Sequence, residues 1–234
     1  MKKNNLILGT FLAITNILFS SCGASSSSDS TSTEKVEGST ESTESGGVVT
    51  IGSQVWTSKN LDVAIYRNGD VIPEVQDPNA WANLTTGAWC YYNNDASNGT
   101  KYGKLYNWYA VNDPRGLAPK GYHIPTDKEW EKLTDYLGDG TALGASGNGT
   151  KMKSTSGWYH PGNGTNSSGF SGLPGGIRGY NGTCFYIDNG GDWWSSTESS
   201  SDNGWYRSLD YNNRYVGWSD NNKRNGFSVR CLKN

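Results

Sequence analysis

Four cysteines, two histidines and a crowd of aromatic and amide side chains are the groups in this 234-residue chain suited to chemistry or recognition. The densest set lies within 202–225: Trp205, Tyr206, Arg207, Tyr211, Asn212, Asn213, Arg214, Tyr215 and Trp218, among further Asn and Asp. Rigid aromatic area beside versatile hydrogen-bonding groups is the composition of adaptable binding surfaces. Flat aromatic faces also stack on sugar rings. These nine side chains form the candidate ligand-binding set. The competing structural reading places alternate aromatics in the core and the Asn in turns.

Signatures of catalysis are thin. The chain holds no Gly-x-Ser-x-Gly, no His-Glu-x-x-His and no phosphate loop. Ser195 and Ser196 follow two Trp, but no His stands nearby in sequence to activate a hydroxyl. His123 and His160 are far apart and lack Cys or carboxylate partners at zinc-like spacing. Asp202, Asp210 and Asp220 carry the hard oxygens that calcium takes, yet their loops match no EF-hand, and turn formation ranks first for them. Asp and Glu are scattered without a marked pair for glycosidase chemistry. The expectation is a non-enzyme with no metal and no cofactor. Cys90, Cys184 and Cys231 permit three single bridges, and spacing does not choose among them.

The N-terminus reads as an address. Lys2 and Lys3 precede an apolar run from Leu6 to Phe19, too short to span a bilayer and suited to a signal segment. Leu18-Phe19-Ser20-Ser21-Cys22 resembles a bacterial lipobox, which implies a lipidated Cys22. Residues 22–47 are Ser, Thr, Gly and Glu and cannot bury enough surface to offset ordering entropy, so a flexible tether is expected. The division is thus 1–21 signal, 22–47 tether and 48–234 folded head, on a bacterial outer membrane or cell surface with the membrane as a partner through the lipid. Twenty basic residues against 22 acidic ones create no field for a phosphate backbone, so nucleic acid is not a partner.

The head holds all ten Trp, and the chain's 31 Gly are nearly twice the usual ~7% share. Val48 to Trp56 reads as a hairpin around Gly52-Ser53. Leu105 to Val111 reads as a helix carrying Leu105, Trp108 and Tyr109 on one face. Thr126-Asp127-Lys128-Glu129 is a capping box, followed by Trp130, Leu133 and Leu137 on one stripe and a terminating Gly138. Strands are expected at 193–195, 204–209, 214–218 and 226–232, with polar turns at 211–213 and 220–222. In the last strand Phe227, Val229 and Cys231 face one way, and Ser228, Arg230 and Leu232 the other.

Several segments occur in a telling order. They are Gly87-Ala88-Trp89-Cys90-Tyr91-Tyr92, Tyr102-Gly103-Lys104-Leu105-Tyr106-Asn107-Trp108 and Gly121-Tyr122-His123-Ile124-Pro125-Thr126. Phe170 to Arg178, Trp193 to Glu198 and Gly226-Phe227-Ser228-Val229-Arg230-Cys231 follow. Together they resemble the Fibrobacter succinogenes major paralogous domain of bacterial surface lipoproteins. The helix entry and the C-terminal Arg-Cys are also similar to formylglycine-generating and sulfatase-modifying proteins. The resemblance implies an α+β, C-type-lectin-like fold, with two helices and short mixed strands under long loops. It also implies a Cys90–Cys231 disulfide, since both stand in matching motifs. The copper-binding Cys pair of the formylglycine enzymes is not found. The expected function is a surface-anchored, lectin-like binding module for a glycan or protein ligand. A structural or adhesion protein without a small ligand is the alternative, with an oxidase- or glycosidase-like enzyme last.

Overall fold

A computed structural model describes residues 47–138 and 147–234. The expected signal segment 1–21, Cys22 and all but the last residue of the tether lie outside the described residues. The strands are β1 (Val48–Ile51), β2 (Gln54–Thr57), β3 (Trp89–Cys90), β4 (Leu105–Tyr106), β5 (Tyr122–His123), β6 (Gly175–Arg178), β7 (Cys184–Ile187), β8 (Gly190–Glu198), β9 (Asn203–Asp210), β10 (Gly217–Asn222) and β11 (Leu232–Lys233). The helices are α1 (Pro78–Ala82), α2 (Ala96–Tyr102), α3 (Trp108–Val111), α4 (Asp127–Leu137) and α5 (Asn148–Met152). The class is α+β with strands predominating.

The expected hairpin forms as β1 and β2. Ile51 pairs with Gln54 across the two-residue turn Gly52-Ser53. Gly52 sits at φ +61°, where a Cβ would also meet the Tyr136 ring at 3.0 Å; glycine reaches that conformation at no steric cost. Alternation buries Ile51 and Trp56. Leu232 of β11 pairs with Trp56 on one side and His123 of β5 on the other, giving the sheet order β1-β2-β11-β5. Both ends of the head are thus joined in one sheet.

Helix α4 follows its sequence signals closely. Thr126 Oγ1 accepts from the Glu129 amide, and Glu129 Oε2 accepts from the Thr126 amide. Trp130, Leu133 and Leu137 are its buried stripe. Thr126→Ala should cost about 1 kcal/mol, read as a lowered urea midpoint at unchanged slope. Glu129 also meets His123 Nε2 at 2.9 Å, so both have structural roles. Leu105 to Val111 departs from the expected single helix. Leu105 and Tyr106 are β4, paired with Cys90 and Trp89 of β3. Only α3 is helical, and Asn107 caps it by accepting from the Ala110 amide. Tertiary pairing overrides the local periodicity here.

The second large sheet is mixed, with order β10-β9-β8-β6-β7. β6 runs parallel to β8 through Gly176 and Gly191, and the other neighbours are antiparallel. β8 spans far more than 193–195. The expected strand at 214–218 begins only at Gly217, and the expected turn at 220–222 lies within β10. Along 226–232, Phe227, Val229 and Cys231 enter one core cluster with Tyr106 and Trp194. Leu232 enters another with Trp56, Trp130 and Trp193. Adjacent Trp193 and Trp194 therefore serve opposite faces of β8.

Candidate functional site

Strand alternation builds a groove on one face of the mixed sheet. On β9, Tyr206, Ser208 and Asp210 share a face. Their register partners on β8 are Trp194, Asp192 and Gly190, and on β10 Ser219 and Gly217 stand opposite Tyr206 and Ser208. Trp194 and Phe227 stack beneath at 4.2 Å between ring centroids, and Tyr206 leans on Phe227 at 5.0 Å. The Tyr206 ring thus joins core to groove. Gly217 keeps the floor low, since a Cβ there would stand 2.2 Å from Ser208 Oγ.

Two concavities of about 280 and 390 Å³ adjoin along this face, sharing Ile177, Tyr186, Asp192 and Tyr206. One continues past Asp210, Asn213 and Tyr215. The other continues past Tyr180, Asn181, Phe185, Asn221 and Asn225. Their sizes reach the lower range of small-ligand sites. Tyr180 and Tyr186 are 55% and 56% exposed, open faces on the groove. Tyr186 holds φ +70°, a left-handed conformation that costs a non-glycine residue on the order of 1 kcal/mol or more.

The electrostatics centre on Asp192. Burial pushes its carboxyl up to about 7, and the charge of Asp210 adds to the rise. Among the described residues no ion pair reaches Asp192 or Asp210. Asp210 Oδ1 accepts from the Asn212 amide and so closes an Asx turn. Burial likewise raises the Tyr206 hydroxyl to about 12, with Asp192 second. The arrangement can accept hydrogen bonds from a ligand, stack on it, and meet a positive charge.

The model of the Fibrobacter succinogenes major domain matches residues 49–233. The chain belongs to this family. The match runs from within β1 to the end of β11. No curated protein matches the chain significantly.

In this Fibrobacter succinogenes major domain the nine expected ligand residues divide between two faces. Tyr206, Asn213 and Tyr215 line the groove. Trp205 and Trp218 lie on the opposite face of β9–β10, stacked at 4.8 Å and 15°. Trp218 remains 50% exposed, and its Nε1 donates to Asp127 Oδ1 at 3.2 Å. Arg207 is a correction to the expected set. It is buried, and its Nη1 donates to Asp127 Oδ1 at 2.5 Å, tying β9 to the start of α4. Tyr211 packs edge-on against Tyr159 at 5.3 Å beside the Trp130 cluster. Asn212 and Arg214 are exposed in the β9–β10 connection.

The Cys90–Cys231 bridge is also corrected. All three described cysteines are free. Cys90 packs with Trp81, Tyr92 and Leu105, whereas Cys231 packs with Tyr106, Phe227 and Val229 in a different cluster. Burial raises both thiols to about 12, so neither is a ready nucleophile. Cys184 is partly exposed, and its Sγ accepts from the Asn93 amide at 3.3 Å. Ser195 Oγ accepts from the Thr197 amide, and Ser196 Oγ donates to the Ile124 carbonyl. Among the described residues no three His, Cys, Asp or Glu gather as metal ligands. Asp220 instead accepts from Ser199 and Asn203.

Asp192, Tyr180 and Tyr186 escaped the sequence reading. Asp192 carried one usable signal, since it stands two residues before Trp194 and so shares its face in an extended segment. Tyr180 and Tyr186 reach the groove only through the pairing of β7 with β6 and of β6 with β8.

Proposed function

We propose that this chain is a lipid-anchored surface lipoprotein whose head is a lectin-like binding module, with a glycan as the first candidate ligand. The groove over β8 and β9 carries the reading. It combines exposed tyrosine faces with Asp, Asn and Ser side chains, the mix that holds a polar ring on one face and its hydroxyls at the edges. Leu18 to Cys22 and the Ser/Thr-rich stretch after it support anchorage at an outer membrane or cell surface through Cys22. The short mixed strands, the long loops and the principal helix α4 support a C-type-lectin-like relationship.

A second surface has one observation in its favour. The stacked Trp205–Trp218 pair presents a half-exposed indole on the opposite face, a place for a protein partner or a second sugar contact. A structural role without a small ligand would show itself as self-association of the ligand-free chain.

The test is binding of the full chain to a broad glycan array, with calcium and with chelator. Tyr206→Ala is expected to weaken specific signals by on the order of tenfold, about 1.4 kcal/mol. Signals that survive Tyr206→Ala and fall with Trp218→Ala would move the site to the opposite face. Equal signals with calcium and with chelator are expected.

A further inference from the structure

The groove has a carboxylate without a counter-charge. Asp192 on β8 lies opposite Ser208 on β9, and Asp210 stands two residues further along the same face. Such diagonal neighbours lie roughly 7–8 Å apart. No Lys, Arg or His lines either concavity. Lys153 is the cation that feels Asp210, yet its Nζ donates to the Asp210 and Asn213 carbonyls, at 3.0 and 2.8 Å. Arg224 stands over Tyr180 at 5.9 Å, and its guanidinium donates to Asn222 and the Ala82 carbonyl. No hydrogen-bond donor among the described residues reaches the Asp192 carboxyl.

Tyr186 and Tyr206 line both concavities with Asp192, Tyr215 joins them in one and Tyr180 in the other. Aromatic faces attract cations, most strongly where water is displaced. A carboxylate flanked by such rings is a seat for an ammonium group, which donates three hydrogen bonds. Asn181, Asn213, Asn221 and Ser208 supply amides and a hydroxyl suited to sugar hydroxyls rather than to a peptide side chain.

We propose that the groove takes a saccharide bearing a free amino group, with the ammonium seated on Asp192 among the tyrosines. This rests on the groove being the binding site. The raised carboxyl of Asp192 is consistent, since a cation brought beside it would lower it again and release a proton.

The test is calorimetric titration of the full chain at pH 7 with a glucosamine tetrasaccharide and with its fully N-acetylated counterpart. The free-amine oligomer is expected to bind tighter by on the order of tenfold, the scale of one desolvated cation–aromatic contact. Asp192→Asn, which keeps the shape and removes a strained charge, is expected to bring the two affinities together. Equal affinities in the unmodified chain, both weakened by Tyr206→Ala, would overturn the amine assignment and leave the groove reading standing. Binding by neither oligomer would overturn the amine assignment, and glycan-array silence would overturn the groove reading with it. A lysine oligopeptide that binds where the amino-sugar does not would overturn the saccharide assignment.

Discussion

Arg230→Met is expected to lower the melting temperature by roughly 10 °C or more. Arg230 is fully buried. Its Nε donates to Asn60 Oδ1 at 2.7 Å, and Nη1 donates to the Thr57 and Phe170 carbonyls, both at 2.8 Å. Nη2 donates to the Ser171 carbonyl at 3.1 Å, and the guanidinium lies over the Phe170 ring at 4.4 Å. Burial pulls its pKa down to about 9, which still leaves it charged at neutral pH. One cation thus ties β2, the 170–171 segment and the C-terminal run together. Its loss takes the guanidinium donor from three carbonyls and leaves the Asn60 amide oxygen with Trp193 Nε1, at 2.9 Å, as its remaining donor. A buried acceptor left without a donor costs about 1–3 kcal/mol, and three carbonyls are left so. In a domain of this size each kcal/mol moves the midpoint by roughly 2–4 °C. Arg230→Lys should recover only part of the loss, because an ammonium cannot span the same fork. Scanning calorimetry decides, and a shift under about 3 °C would contradict the role.

Asp192→Asn is expected to have the opposite sign, and only in one pH range. The folded-state carboxyl titrates near 7 against 3.8 for the free group. A raised value means that protonated Asp192 favours the fold below pH 3.8, and that this contribution is lost as pH rises through about 7. Above 7 the unmodified protein holds a desolvated carboxylate beside Asp210. The amide has no such charge. The variant should therefore melt higher at pH 8 and almost equally at pH 4. The difference has a ceiling of about 4 kcal/mol, from roughly three pH units at about 1.4 kcal/mol each. Partial opening to the groove reduces it. Equal melting temperatures at pH 8 would mean that Asp192 is well solvated and carries no strain.

The strongest local signals were the most legible. The Thr126 capping box and the Gly52-Ser53 turn each report on a few neighbouring residues, and both elements form where expected. Along 226–232 the alternation of faces holds, but the expected strand does not: Gly226, Phe227 and Ser228 make single bridges, and regular pairing starts only at Leu232. The reading of 105–111 failed because Leu105 and Tyr106 pair with a strand some fifteen residues upstream. Asp220-Asn221-Asn222 looked like a turn on composition. As part of an edge strand, those residues need only main-chain pairing with Asn203-Gly204-Trp205. The candidate site was legible in part for the same reason. Its β9 side, with Tyr206, lay in a conspicuous aromatic run, whereas Tyr180 and Tyr186 arrive through β7 and the parallel β6–β8 pairing. Arg207 shows the cost of reading composition without alternation. It is flanked by groove-facing Tyr206 and Ser208, so it points away from the groove and into its pair with Asp127.

A ligand in the β8–β9 groove would shield the groove tyrosines, and oxidative footprinting of the full chain tests this most directly. The chain would be labelled with and without a saturating saccharide, and modification of each Tyr and Trp read by mass spectrometry. Protection of Tyr180, Tyr186, Tyr206 and Tyr215, with Trp218 unchanged, is the result this account requires. Protection of Trp205 and Trp218 with the four groove tyrosines unaffected would contradict it.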